Sequence, residues 1–160
     1  PILTSPVSRR LLRGAWLTMN EKYPFQLVAC CLLPEHLHCI WTLPEHDADY
    51  SIRWQGIKGL FSREYKKKMN LETEITDSLK KKREAGIWQR RFWEHTLVTQ
   101  EDYNTHVDYI HYNPVKHGLV KHVRDWPWSS FHRYVKEGVY GVEWGTGLSD
   151  RFGMVKEFGE

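Results

Sequence analysis

Two histidines lie one residue apart in the mostly apolar stretch "LPEHLHCIW", residues 33–41. In an extended strand, residues i and i+2 share a face and lie about 6.6 Å apart along the chain. His36 and His38 are therefore predicted to point to the same side of a strand. Two imidazoles placed in this way can bind a single metal ion. The motif alone leaves open the alternative of two histidines on a solvated or partly buried sheet face.

The cysteines do not favour a zinc site beside this pair. Cys39 would point to the face opposite both histidines, and the adjacent Cys30 and Cys31 would point away from each other. A structural zinc ion needs four converging ligands, which this arrangement does not supply. Three cysteines also do not form a disulfide framework, so we expect a reducing, cytoplasmic compartment.

A second stretch, "DYIHYNPVKHG", places a tyrosine and an asparagine four residues apart. On a helix, Tyr109 and Asn113 would be neighbours on one face, with Cβ atoms about 5–6 Å apart. Pro114 is predicted to end the helix, which would leave the amide oxygen of Asn113 able to bind a cation. A hydroxyl nucleophile beside a hard oxygen donor suits phosphoryl transfer. The alternative is a tyrosine that packs and an asparagine that caps the helix.

Positive charge is concentrated in the middle of the chain. Residues 53–91 hold twelve Lys and Arg against five acidic residues, a net charge of +7, whereas the whole protein carries +3. Such asymmetry fits a polyanion partner, although a solvated helix face with a basic loop would also produce it. The candidate contacts to such a polyanion are the cations on a predicted helix and strand: Arg53, Lys58, Arg63, Arg90 and Arg91.

Periodicity and capping signals predict a helix, two strands, a helix, a strand and a helix, in that order. The helices are predicted over residues 5–23, 49–70 and 99–112, and the strands over 25–33, 36–43 and 87–98, with a short helix near 130. This order predicts an α+β domain of ferredoxin-like type, an antiparallel sheet with helices packed on it. No apolar run approaches the roughly eighteen residues of a membrane span, and no signal peptide is recognisable.

Four motifs in order, "LPEHLHCIW", "WQRRFWEHTLV", "YIHYNPVKHGLV" and "DWPWSSFHRY", together resemble the REP-associated tyrosine transposases. These proteins are relatives of the single-tyrosine HUH transposases of bacterial insertion sequences. The resemblance covers about residues 12–134. Three departures stand out: the family's first strand normally precedes the opening helix but is not recognised here, Glu35 stands where relatives often have Asn, and His117 replaces a small residue.

The resemblance implies a ferredoxin-like, RRM-like HUH endonuclease domain over residues 1–135 and a C-terminal extension over residues 136–160. It implies that His36 and His38 are metal ligands, that Tyr109 is the nucleophile, and that Asn113 is a third ligand at a position usually held by Gln in the insertion-sequence relatives. The implied cofactor is Mg²⁺ or Mn²⁺.

The resemblance also implies an activity, a metal-dependent endonuclease and strand transferase acting on single-stranded DNA with REP-type hairpins. Cutting would form a 5′-phosphotyrosine and release a 3′-OH. The protein would be a monomer in the bacterial cytoplasm, associated with the nucleoid and without a membrane partner. Two alternatives remain: a non-catalytic hairpin-binding protein on the same fold, and a metal-dependent nuclease that uses water as its nucleophile.

Overall fold

Four α-helices and two strands make up the regular structure of the computed structural model, which describes residues 2–71, 87–88 and 94–147. The elements are α1 (Pro6–Lys22), β1 (Gln26–Leu32), β2 (Leu37–Thr42), α2 (Tyr50–Lys68), α3 (Gln100–Lys116), a 3₁₀ helix (Val123–Asp125) and α4 (Phe131–Lys136). The predicted α+β class is confirmed. One compact unit contains α1 and α2, and another contains the strands, α3 and α4.

In the helical unit, α1 begins at the predicted position. The Ser5 hydroxyl accepts a hydrogen bond from the Ser8 amide at 3.1 Å, and Pro6 occupies the first turn. Gly56 on α2 lies so close to α1 that a Cβ atom there would clash with the side chain of Met19. A glycine that weakens the intrinsic helix propensity of α2 therefore allows the two helices to pack closely.

The other unit is organised around the antiparallel pair β1–β2, as predicted. Residues 128–130 extend the pairing on β1, because Cys31 bridges to Ser129 and the Ser130 amide donates to the Cys30 carbonyl at 2.8 Å. The sequence analysis predicted only a turn here. Between β1 and β2, the Leu33 amide donates to the His36 carbonyl at 2.8 Å, and this tight turn brings His36 to the start of β2.

Helix α3 packs against this sheet through an apolar cluster. Its members come from β1, α3, the 3₁₀ region and α4: Ala29, Cys31, Leu33, Val107, Ile110, Trp126 and Tyr134. As predicted, the Thr99 hydroxyl accepts from the Asp102 amide at 3.1 Å and caps the helix.

The prediction that α3 ends at Asn113 is wrong, because the helix continues through Pro114 to Lys116. Pro114 has no amide hydrogen and donates no helical hydrogen bond, and the helix continues for only two residues beyond it. The helix instead ends where the His117 amide donates to the Asn113 carbonyl at 3.0 Å and Gly118 adopts a φ of +66°.

Two other predictions fall partly outside the described residues. Of the predicted strand at 87–98, residues 87–88 and 94–98 are not in a strand, and the remainder is not described. Most of the predicted connector, residues 72–86, is likewise not described.

The chain continues to pack on the second unit beyond α4. The Tyr140 hydroxyl donates to the Asp108 carboxylate at 2.6 Å, and the Tyr140 ring stacks on Phe131 and Trp144. Ordered packing thus extends past residue 135 to at least Trp144. Across the described residues, no helix combines the length and apolar character that crossing a bilayer requires.

Candidate metal and tyrosine site

His36, directly before β2, and His38, within β2, face each other through their outer ring nitrogens. The Nε2 atoms of His36 and His38 lie 3.1 Å apart, and the ring planes are nearly perpendicular at 84°. Adjacent ligands of an octahedral ion with bonds of 2.0–2.1 Å are separated by about 3 Å. The spacing of the two nitrogens therefore fits a shared divalent ion.

Helix α3 lies against this pair with one stripe of side chains. Tyr109, Asn113 and His117 follow at four-residue intervals and therefore share a face. The Tyr109 ring packs edge-on against His38 with centroids 5.8 Å apart, and the His117 ring packs against His36 at 5.4 Å. Because the two ends of the stripe contact the two histidines, Asn113 lies between these contacts.

Asn113 is fully buried, with 0% of its surface exposed. Within the described part of the chain, neither its amide oxygen nor its amide nitrogen has a hydrogen-bond partner. A buried amide without partners costs free energy, about 1–3 kcal/mol for each group left unsatisfied. A cation bound by the two histidines could accept the amide oxygen as a further ligand, so this unsatisfied side chain fits a metal site.

Tyr109, which is only 2% exposed, contacts the ammonium group of Lys116 as well as the His38 ring. The Nζ of Lys116, two turns later on α3, donates to the Tyr109 hydroxyl at 2.8 Å and lies 4.8 Å from the ring centroid. Lys116 was not among the predicted site residues. Its spacing of seven residues from Tyr109 is the signal that could have identified it.

A second group of side chains could also hold a metal ion, and the sequence analysis did not find it. The candidate ligand atoms of His95, Asp102 and His106 lie within 4.8 Å of one another. In the structure, however, the Asp102 carboxylate lies 2.7 Å from His95 Nε2 and 2.9 Å from His106 Nδ1. Burial opposes ionisation of Asp102, but the hydrogen bonds from His95 and from the Val98 amide lower its pKa overall.

Another histidine of α3, His111, points elsewhere. It is fully buried, and its Nε2 lies 2.7 Å from the Ser130 hydroxyl. Burial, together with the charges of Arg133 and His132, lowers the pKa of His111 to about 3. The imidazole is therefore neutral at physiological pH and belongs to the packing between α3 and α4.

Arg53 was predicted to contact DNA, but its buried position gives it a structural role. Only 1% of Arg53 is exposed. Its guanidinium makes five hydrogen bonds within the helical unit, to the Asp47 carboxylate and to the carbonyls of Tyr23, Pro24 and Asp49. Since a guanidinium has five N–H groups, none is left for a phosphate.

The other candidate DNA contacts differ in exposure. Arg63 is 68% exposed and lies 3.2 Å from Glu64, an exposed pair that contributes little to stability. Lys58 is partly buried between the rings of Trp54 and Trp88, and this burial lowers its pKa. Arg90 and Arg91 lie outside the described residues.

Comparisons with known proteins agree on one family. No protein-family model matches the chain. A Haemophilus influenzae protein assigned to the REP-associated tyrosine transposases is 48% identical over 133 residues, 83% of this chain and 74% of the relative. The Escherichia coli K12 REP-associated tyrosine transposase is 45% identical over 141 residues, 88% of this chain and 75% of the relative.

A solved structure agrees with these relatives. It is that of a REP-associated tyrosine transposase bound to a REP hairpin, and it matches with a TM-score of 0.77 and 42% sequence identity. The match covers 99% of this chain and 81% of the solved chain. Both the sequence and the fold therefore point to the same group of proteins.

Proposed function

The chain belongs to the REP-associated tyrosine transposase family, and from this premise we propose that it cuts and rejoins single-stranded DNA beside REP-type hairpins through a covalent bond to Tyr109. The hairpin substrate is proposed because the solved relative is bound to a REP hairpin. The tyrosine mechanism is proposed because Tyr109 packs directly against one of two histidines whose nitrogens face each other. That contact is the observation that carries the proposal.

His36, His38 and Asn113 would hold the divalent ion, Mg²⁺ or Mn²⁺. Two neutral imidazoles and an amide oxygen add no negative charge, so the ion would keep its full charge for the substrate. When bound, the ion would stabilise negative charge on the phosphate oxygens. The buried, unsatisfied amide of Asn113 supports its place among the ligands.

Tyr109 would supply the nucleophilic oxygen. The phenol would lose its proton to solvent, and a bond would form between this oxygen and phosphorus while the bond between phosphorus and the 3′ oxygen breaks. The 3′ oxygen would leave as a 3′-OH after taking a proton from water. Because the phosphotyrosine keeps the energy of the phosphodiester, the 3′-OH could later attack it and restore the DNA without an external energy source.

Arg63 and Lys58, together with Arg90 and Arg91, would contribute to DNA binding. Each phosphate contact on a single strand would add about −0.7 to the slope of log K against log salt concentration. We further propose that the protein acts as a monomer in the cytoplasm, associated with the nucleoid. Size-exclusion chromatography with light scattering would test the monomer, and a dimer peak at micromolar concentration would contradict it.

The decisive experiment uses single-stranded hairpin DNA labelled at its 5′ or 3′ end. Wild-type protein with Mn²⁺ should give a protein–DNA adduct on a denaturing gel, and the fragment downstream of the cut should carry the protein. Tyr109→Phe should abolish the adduct and the cut while the dissociation constant for the hairpin stays within about threefold. Phe is a close control because it removes only the hydroxyl.

The same gel separates the two alternatives. A water-using nuclease would still cut in the Tyr109→Phe variant and would leave no adduct with either protein. A non-catalytic hairpin-binding protein would bind the DNA and cut nothing, with or without Mn²⁺. Either result would overturn the proposed tyrosine chemistry.

A further inference from the structure

Lys116 touches the atom that would react. Its ammonium donates a hydrogen bond of 2.8 Å to the Tyr109 oxygen and lies 4.8 Å from the centre of the same ring. Lys116 is two turns further along α3, and helical side chains lean toward the N-terminus of their helix, which is the direction of Tyr109.

The burial of the two side chains strengthens the hydrogen bond between Lys116 and Tyr109. Tyr109 is 2% exposed and Lys116 is partly buried, so water screens the charge of the ammonium poorly at the tyrosine oxygen. A fixed donor aimed at an atom where negative charge develops is one of the largest contributions that a protein makes to catalysis. The lysine is therefore placed to do more than pack against the helix.

We propose that Lys116 is a catalytic residue that stabilises negative charge on the Tyr109 oxygen during both cutting and rejoining. This inference rests on the proposed function and adds a residue to it. The attacking and leaving oxygens of an in-line phosphoryl transfer lie on opposite sides of phosphorus. A side chain that is hydrogen-bonded to the tyrosine oxygen therefore stabilises charge on that oxygen. Charge on the 3′ oxygen must be stabilised by other groups.

The steps balance without a further reactant. In cutting, the phenol gives its proton to solvent, its oxygen forms a bond to phosphorus, and the 3′ oxygen leaves and takes a proton from water. In rejoining, the 3′-OH loses its proton to solvent and attacks phosphorus, and the Tyr109 oxygen leaves with the bonding electrons. Lys116 keeps its three protons throughout and donates a hydrogen bond to the tyrosine oxygen while that oxygen carries charge.

Because the same oxygen carries charge in the same transition state, losing Lys116 should slow both directions equally. Lys116→Gln should lower the single-turnover rates of cutting and of rejoining by roughly 10²–10³-fold, as for removal of one donor to a developing oxyanion. The balance between cut and rejoined DNA should stay unchanged. Lys116→Arg keeps the positive charge and should recover at least tenfold over Lys116→Gln.

The measurement uses single-stranded DNA carrying the REP hairpin, with Mn²⁺ and saturating protein. Lys121→Gln is the matched control, because Lys121 is exposed nearby in the chain and the variant removes the same charge. It should cut at the wild-type rate. Hairpin affinity and melting temperature are measured for every variant, so that a loss of binding or folding is seen directly.

Replacing Tyr109 by 3,5-difluorotyrosine distinguishes a catalytic role from a purely structural one. The fluorinated phenol carries negative charge more easily, so it should restore cutting in the Lys116→Gln background by tenfold or more. No such gain is expected when Lys116 is present. If Lys116 only packed against the helix, two fluorine atoms on the Tyr109 ring would not compensate for its loss.

Three results would overturn the inference. Lys116→Gln could cut within threefold of the wild-type rate, Lys116→Arg could be as slow as Lys116→Gln, or difluorotyrosine could fail to restore cutting. If Lys116→Gln does not fold, the comparison of Lys116→Arg with wild type decides, and a rate below one hundredth of wild type counts against the role. These failures differ from failure of the proposed function, which would appear as cutting by Tyr109→Phe or as no cutting by the wild-type protein.

Discussion

Two groups of histidines lie on or against α3, and both contain side chains that can bind metal. In the first, the Nε2 atoms of His36 and His38 face each other at 3.1 Å. In the second, the Asp102 carboxylate lies within 2.9 Å of ring nitrogens from both His95 and His106. An ion entering the first group would lie between two ring nitrogens that face each other, whereas an ion entering the second would displace the His95 hydrogen bond to the Asp102 carboxylate and the contact of His106 with that carboxylate.

The difference shows that donor types alone do not make a metal centre. By ligand type, the second group is better suited to a divalent cation, because it includes a carboxylate. The first group has the unsatisfied Asn113 amide and the Tyr109 oxygen on the adjoining helix stripe. The proposed chemistry requires the nucleophile to lie beside the ion, and Tyr109, the proposed nucleophile, packs on His38 of the first group.

The sharpest test of this comparison is His38→Ala. Removing one of two imidazoles from a small ligand set should lower Mn²⁺-dependent cutting by at least about 10²-fold. Single-turnover cutting at increasing Mn²⁺ measures the effect. The hairpin affinity serves as the control and should stay close to wild type. Cutting by His38→Ala at the wild-type rate and Mn²⁺ midpoint would remove this pair from the mechanism.

Asn113→Ala should have a smaller effect on the same measurement. The amide supplies one neutral ligand, so we expect the Mn²⁺ concentration for half-maximal cutting to rise by roughly 10–100-fold. Removing the unsatisfied amide also relieves its burial cost, so the apoprotein should not lose stability beyond the cost of the small cavity. A variant that is strongly destabilised without metal and unchanged in its Mn²⁺ midpoint would show that Asn113 is structural.

A third histidine of α3 should report on folding and not on metal. His111 has a pKa of about 3 in the folded protein against an ordinary value of 6.5. Between these values the unfolded chain binds a proton that the folded chain does not, so stability falls as pH falls below about 6.5. The slope from His111 approaches about 1.4 kcal/mol per pH unit.

Urea unfolding between pH 7 and pH 4 measures this slope. His111→Gln keeps a polar side chain near the Ser130 hydroxyl, but the glutamine does not titrate. The free energy of unfolding of this variant should therefore fall less steeply with decreasing pH, by about 1.4 kcal/mol per pH unit. An equal slope in the two proteins would show that His111 does not remain neutral in the fold.

Asp102→Asn should have the smallest effect on metal-dependent cutting. The carboxylate bonds His95 and His106 at the start of α3, so its loss should lower the melting temperature by roughly 2–4 °C. The Mn²⁺ midpoint should not change. A shift of the midpoint in Asp102→Asn, together with an unchanged midpoint in His38→Ala, would reverse the roles assigned to the two groups.

Local spacing predicted much of the fold. The caps at Ser5 and Thr99, the strands β1 and β2, the helices around residues 6–22 and 50–68, and the start of α3 all follow from periodicity and capping, whereas the end of α3 beyond Pro114 does not. The pairing of residues 128–130 with β1 did not, because "WSS" contains only one strand-forming side chain and owes its conformation to an edge formed about a hundred residues earlier.

The sequence by itself determined which side chains share a local face: His36 with His38 through the two-residue period of a strand, and Tyr109 with Asn113 through the turn of a helix. Tertiary packing alone decided what those faces meet. It buried Arg53, set the Tyr109 ring against His38, and set the His117 ring against His36. Periodicity describes neighbours within one element, whereas contacts between elements depend on how many side chains pack together at once.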